Sequence, residues 1–141
     1  MVIKISWAKV SDANDLERLD KIAHKEKKWW EIQSKNDFKK VINESAFLTL
    51  IVREDDKPIA YLQSGLRNTK KHLWIENIFV INEFRRKGIA KLLVDKFTSY
   101  WLTRVDNIVL ITADTNLKIF EQLGFRKEMN YMGYKNRRKV K

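Results

Sequence analysis

The sequence predicts an α/β domain whose mixed, mostly antiparallel twisted sheet carries helices on both faces. Three observations predict it. Two apolar runs, residues 47–53 and 59–65, flank the turn signal Glu54-Asp55-Asp56-Lys57-Pro58 and read as a hairpin. Residues 73–81, rich in Ile, Val, Trp and Phe, pass into helical periodicity over 88–103, so a strand feeds a helix. The same change recurs between 107–112 and 115–123, and strands that alternate with helices imply crossover connections behind the antiparallel front half.

Taken in order, residues 4–10 form a strand, β1, and Ser11 or Asp12 caps a helix, α1, whose Leu16, Leu19, Ile22 and Ala23 recur at helical spacing. A basic, aromatic stretch from His24 to Trp30 leads to a shorter helix, α2, with Phe38, Val41 and Ile42 on one side. The hairpin supplies β2 (47–53) and β3 (59–65), and residues 73–81 are apolar enough to be a buried strand, β4. Helix α3 (88–103) turns Ile89, Leu92, Leu93, Phe97 and Tyr100 or Trp101 inward. After β5 (107–112), α4 (115–123) points Leu117, Phe120 and Leu123 inward and stops at Gly124, a residue suited to the position after a helix. A last strand or hairpin, β6, covers 125–134.

A chain of 141 residues that is 44% hydrophobic fills one core, so residues 1–134 are expected to form a single domain ending in a basic tail, 135–141. The longest apolar stretch, 46–52, is interrupted by Thr49 and is far too short to span a membrane. The first residues also lack the apolar block and cleavage site of a secretory signal, so a cytoplasmic protein without a membrane partner is expected. The absence of cysteine excludes disulfides and thiolate chemistry. His24 and His72 lack a partner histidine one helical turn away, so no metal is expected. The formal charge of +11 favours an anionic partner: nucleic acid, acidic protein or a phosphorylated cofactor.

The turn from β4 into α3 reads Arg85-Arg86-Lys87-Gly88-Ile89-Ala90. A helix start exposes unpaired N–H groups and the positive end of the dipole, and both favour a phosphate. Gly88 and Ala90 let the backbone approach such a group closely, while Arg85, Arg86 and Lys87 add charge. Neither the Gly-x-x-x-x-Gly-Lys-Ser/Thr nor the Gly-x-Gly-x-x-Gly pattern is present.

In its setting, Ile75 to Leu93, this segment resembles motif A of the GNAT superfamily of N-acetyltransferases, with its Gln/Arg-x-x-Gly-x-Gly/Ala core. Phe120-Glu121-Gln122-Leu123-Gly124-Phe125 resembles the motif B of that family. The resemblance covers nearly the whole chain and implies acetyl-CoA as co-substrate, held between β4 and β5, and direct attack by an amine. It implies that backbone groups of Ile78, Phe79 and Val80 pair with the pantetheine arm and that amides from Arg86 to Ala90 hold the pyrophosphate. Asn116 and Phe120 would then border the cofactor. Glu76, at an acidic position frequent in the family, is the expected base, since the attacking amine must lose a proton. Many relatives carry at Phe120 a tyrosine that protonates the leaving thiolate. Here Tyr131, Tyr134 or water would substitute, or no acid is needed, because a thiol pKa of about 8.5 makes the thiolate a tolerable leaving group.

The resemblance implies that acceptor specificity resides largely in the α1–α2 region, here with His24-Lys25-Glu26-Lys27-Lys28-Trp29-Trp30, and at the end of the sheet. The basic body repels polycations and so leans toward a protein or peptide amine over a small-molecule amine, with the chain a monomer or homodimer. The alternative is a module of the same fold, weak in catalysis, that binds nucleic acid or responds to acetyl-CoA as a regulator.

Overall fold

Asp55 and Asp56, at φ +46° and +71°, turn the chain in two residues between β2 (Thr49–Glu54) and β3 (Lys57–Ser64). Two consecutive positive φ values match the right-handed strand twist and make the tightest hairpin connection. The five-residue turn expected from Pro58 is therefore shorter. Pro58 is the second residue of β3, opposite Arg53, where a register shift beyond Val52 leaves Ile59 extra and the ladder tolerates a missing N–H.

The computed structural model describes residues 2–28, 30–65, 69, 71–112, 116–128 and 132. These fall in two units, Met1–Leu110 and Ile111–Lys141.

In the first unit, five strands lie in the order β1-β2-β3-β4-β5, with β1 at Ile3–Trp7, β4 at His72–Val80 and β5 at Asn107–Val109. The first three pairings are antiparallel and the last is parallel, as the pattern of hairpin and crossovers required. Directly paired residues share a face of a sheet. One row therefore runs Trp7, Leu50, Leu62, Ile78 and another Ser6, Ile51, Tyr61, Phe79. The first row meets α3 (Ile89–Trp101), where Trp7 lies against Phe97 and Tyr100. The second meets α1 (Ala13–Glu26) and α2 (Lys35–Glu44), where the Tyr61 ring sits edge-on to Phe38 at 5.8 Å. Helices thus cover both faces, which is why Ile59 to Ser64 are all buried.

Helix faces differ from expectation at two places in the first unit, and in the second the expected inward residues Leu117, Phe120 and Leu123 are only partly buried. On α1, Ile22 is 41% exposed and Asp20, two residues earlier, is fully buried in its stead. On α3, Leu92 is 37% exposed and Val94 is buried with Ile89, Leu93 and Phe97, because the inward stripe follows the i, i+4 row 89–93–97 and its neighbour 94. Asp12 stands at the α1 cap position without capping it; its carboxylate instead accepts from Lys9 N–H at 2.7 Å and from Arg53 Nη2 at 2.7 Å. Helix α2 is closed by Ser34, whose Oγ accepts from Asp37 N–H at 3.2 Å while Asp37 Oδ2 accepts from Ser34 N–H at 3.1 Å. Ser34→Ala should lower stability by about 1 kcal/mol, read as a fall in the thermal midpoint.

In the second unit, α4 spans Leu117–Gln122, and none of its residues is buried. Gly124, at φ +101°, ends it: Gly124 N–H donates to Glu121 O and Phe125 N–H to Phe120 O, both at 3.0 Å, and the Phe120 and Phe125 rings meet edge-on at 6.0 Å. This is the two-bond, left-handed helix stop with its accompanying apolar contact. Asn116 occupies the cap position with no side-chain bond, and Asp114 and Thr115 lie outside the described residues. Residues 125–128 are not strand, and the remainder of the expected β6, apart from Met132, lies outside the described residues. Among the described residues no helix is long and apolar enough to cross a membrane.

Candidate functional site

The β3–β4 ladder contains one irregularity, and it falls on Glu76. Gln63 pairs with Asn77, but the next residue, Ser64, pairs with Ile75, so Glu76 is the extra residue of a β-bulge. A bulge bends its strand and re-aims side chains. Here Glu76 and the following Asn77 both line one cleft, and Gly65 opposite leaves the space that the Glu76 side chain fills.

The bend also explains why β5 stops at Val109 and not at Thr112. Its last rung, Trp74↔Val109, lies two residues before the bulge, and beyond it β4 and β5 share no ladder. Ile81 N–H donates to Ile59 O at 2.9 Å, and backbone direction alternates along a strand. Phe79 and Asn77 therefore bond toward β3, whereas Ile78 and Val80 face the edge that β5 has left. The Val80 carbonyl accepts from Arg85 Nε at 2.9 Å.

Among the described residues no strand pairs with that edge, which runs into a turn, Asn82–Phe84, and then into Arg85 to Gly88. Arg86 has φ +62° and Gly88 φ +81°; Gly88 is the residue before α3 and has no side chain to cap it. The first helical bond is Leu92 N–H to Gly88 O, so the amides of Ile89, Ala90 and Lys91 have no acceptor within the helix. A Cβ built on Gly88 would meet nothing within 4 Å, so the backbone here borders open space. Left-handed residues beside a helix start turn successive N–H groups toward one concavity suited to an anion.

The three cations of this turn have different surroundings. The Arg85 guanidinium pairs with Glu26 of α1 and lies 5.7 Å from the centre of the Phe79 ring. Lys87 Nζ sits 5.4 Å over Phe84, and Arg86 is exposed. Arg85 therefore ties the turn to α1, leaving Arg86 and Lys87 as its solvent-facing cations.

The cleft beside Glu76 has a volume of about 670 Å³. Its walls come from the α1–α2 connection (Trp30, Glu31, Gln33), from α2 and from the strand residues Gln63, Gly65, Glu76 and Asn77. Three carboxylates, Glu31, Asp37 and Glu76, face one amine, Lys40, so a chain that is basic as a whole is acidic here. A second groove, about 500 Å³, lies between α1 and the β2–β3 turn, but Glu76 does not line it.

One polar cluster was not expected from the sequence. Asp20 Oδ1 accepts from Trp30 Nε1 at 2.9 Å and from the Tyr61 hydroxyl, and Oδ2 accepts from Gln33 N–H at 2.7 Å. Gln33 Nε2 donates onward to Gln63 Oε1 at 2.7 Å. Burial, and then the neighbouring carboxylate, hold the Tyr61 phenol well above its ordinary pKa, so it stays a donor. Trp30 is buried, with the remaining 8% of its surface exposed, and Trp29 lies outside the described residues. The signal in the sequence was an aspartate inside the apolar stripe of α1, between Leu16, Leu19 and Ala23.

The structure thus brings Glu76, Ile78, Phe79, Val80 and the segment Arg85 to Ala90 onto one strand and the turn that follows it. Asn116 and Phe120 belong to the second unit, where Phe120 packs on Phe125; Tyr131 and Tyr134 lie outside the described residues. Among the described residues no group of three or more His, Asp or Glu side chains could hold a metal ion.

A sequence model of the Acetyltransferase (GNAT) family matches residues 10–125. No curated protein matches the chain in sequence. Among solved structures, an aminoglycoside N-acetyltransferase in complex with CoA is similar at 18% identity and TM-score 0.74, over 96% of this chain and 95% of that one. The glucosamine-6-phosphate N-acetyltransferase from Arabidopsis thaliana is similar at 17% identity and TM-score 0.73, over 96% and 99% of the two chains. Ard1 from Thermoplasma volcanium is similar at 14% identity and TM-score 0.73, over 92% and 86%. At these identities the likeness is one of fold.

Proposed function

Because the chain belongs to the GNAT family of acetyltransferases, we propose that it transfers the acetyl group of acetyl-CoA to a primary amine bound in the cleft at Glu76. The observation that carries this reading is the strand edge at Ile78 and Val80, vacated by β5 and continuous with the uncapped start of α3. An extended chain ending in phosphates fits that shape: amide partners along β4, then an anion cradle. Acetyl-CoA has that form and supplies the activated thioester.

The residues divide the work by their chemistry. Backbone groups of Ile78 and Val80 align the arm of the co-substrate, while Phe79, whose backbone bonds to β3, supports the edge with its ring against Trp30. Amides from Arg86 to Ala90 hold the pyrophosphate, helped by the charges of Arg86 and Lys87. Glu76 takes the proton that the attacking amine must lose. Phe120 cannot donate a proton to the leaving thiolate, and Tyr131 is the side chain we assign to that step.

A protein or peptide amine is the acceptor that a chain of charge +11 admits most readily. The acidic lining of the cleft removes the repulsion locally, so small polycationic amines belong in the same panel. We take the setting to be cytoplasmic.

Acetyl-CoA at about 100 times its Kd should stabilise the protein by about 2.7 kcal/mol, seen as a rise in thermal midpoint, and thiol release across an amine panel should identify the acceptor. No thermal shift, alongside salt-sensitive binding of nucleic acid, would overturn the proposal.

A further inference from the structure

Asp20 is an expensive residue at its position. It is fully exposed to none of the solvent, it stands among Leu16, Leu19 and Ala23, and no cation pairs with it among the described residues. Burying a carboxylate costs free energy that an apolar side chain of similar volume would avoid. Packing α1 on β3 therefore does not account for it. Its partners do.

Two of the three donors on Asp20, the Trp30 indole and the Gln33 amide, belong to the α1–α2 connection; the third, the Tyr61 hydroxyl, belongs to β3. Trp30 and Gln33 line the cleft, and His24 Nδ1 holds the same connection by donating to the Trp30 carbonyl at 2.6 Å. Gln33 then bonds to Gln63, which is paired with Asn77, the residue next to the bulged Glu76. A continuous hydrogen-bonded path thus runs from a buried acid on α1 to the strand pair at the bulge.

We propose that Asp20 is a positioning residue for the acceptor: it fixes residues 30–33 as the wall of the cleft and, through Gln33 and Gln63, sets that wall against Glu76. The inference rests on the acetyl-transfer reading for what the cleft binds. It does not extend to the co-substrate: among the described residues the hydrogen bonds of this path stop at Gln63, and its one approach to the vacated edge is the Trp30 ring against Phe79, whose backbone bonds to β3.

The test uses the full chain with Asp20→Asn, which keeps the volume and turns one oxygen into a donor facing donors, and with Gln33→Ala, which keeps the backbone bond to Asp20 and removes the cleft-lining side chain that links to Gln63. Spermidine, kanamycin and a lysine-bearing peptide serve as amine probes. For the probe that the wild type acetylates, acceptor KM should rise about tenfold or more in both variants while acetyl-CoA Kd stays within about twofold. Hydrogen exchange at the Gln33 amide should quicken in Asp20→Asn while β4 and α3 stay as protected as in the wild type. Parallel loss of acetyl-CoA binding would reduce Asp20 to a folding role and overturn the inference, as would an unchanged acceptor KM. Should Asp20→Asn fail to fold, Gln33→Ala decides by the same KM criterion. A wild type that binds acetyl-CoA but acetylates none of the probes would overturn the acetyl-transfer reading, and this inference with it, whereas an active wild type with unaltered variants overturns the inference alone.

Discussion

Glu76→Gln is expected to lower kcat/KM for the acceptor by about 10²- to 10⁴-fold, the range for removing a positioned general base, while acetyl-CoA affinity stays within about twofold. Glutamine keeps the shape that fits over Gly65 and loses the negative charge and the ability to take a proton. With no base at position 76, the variant must use amine already deprotonated in solution, so its rate should climb about tenfold per pH unit below the pKa of the amine. Gly65→Ala tests the same carboxylate differently. A Cβ at Gly65 would come within 2.7 Å of Glu76 Cδ, so the carboxylate is displaced while its charge is kept. Activity should fall about ten- to hundredfold, as misplacement of a reacting group does. Stopped-flow or thiol-release kinetics with isothermal titration of acetyl-CoA check both variants. Equal loss of co-substrate affinity in Glu76→Gln would remove Glu76 from the role of base.

The placement of Glu76 shows how far the sequence could be read. Its residue type and its position on β4 were legible, because a β-branched, aromatic run followed by a helical period leaves little choice of element. The bulge was not. Gln63, Ile75 and Glu76 carry no turn signal and Ser64 only a weak one, and the extra residue becomes visible when two strands are paired and Ser64 meets Ile75. From that one slip follow the direction of Glu76, the bend of β4 and the short β5. Periodicity had extended β5 to Thr112 because Ile108, Val109, Leu110 and Ile111 look alike whether or not a partner strand continues beside them.

On α1 and α3 the inward faces were legible to within two positions. Ile22 and Leu92 satisfy the helical period, as do Asp20 and Val94; hydrophobicity prefers Ile22 to Asp20 and does not separate Leu92 from Val94. Tertiary partners decide: Tyr61 and Trp30 supply the donors that let an acid be buried, while Ile22 borders the open groove beside Pro58. The same holds for Asp12, an apt cap by residue type, whose carboxylate serves Lys9 and Arg53. Polar residues are chosen by long-range partners, and those partners are 38 to 41 residues away for Arg53 and Tyr61.

Gly88 presents two requirements that can be separated, and the second of the large effects lies there. Its φ of +81° disfavours any L side chain, at about 1–2 kcal/mol for an ordinary residue and more for a β-branched one. Yet a Cβ at this position touches nothing within 4 Å, so the fold itself does not demand a bare backbone. Asparagine tolerates the left-handed region, whereas valine does not. Gly88→Val should therefore lose stability and raise acetyl-CoA Kd about a hundredfold or more, because both the turn and the approach of the pyrophosphate are disturbed. Gly88→Asn should keep thermal stability within about 0.5 kcal/mol and still raise Kd about tenfold, since its side chain occupies the space that the phosphates need. Titration calorimetry and thermal unfolding on both variants read the two quantities independently. An Asn variant with wild-type affinity would mean that the turn requires only its positive φ, and that the pyrophosphate is held farther along α3 than the amides from Arg86 to Ala90.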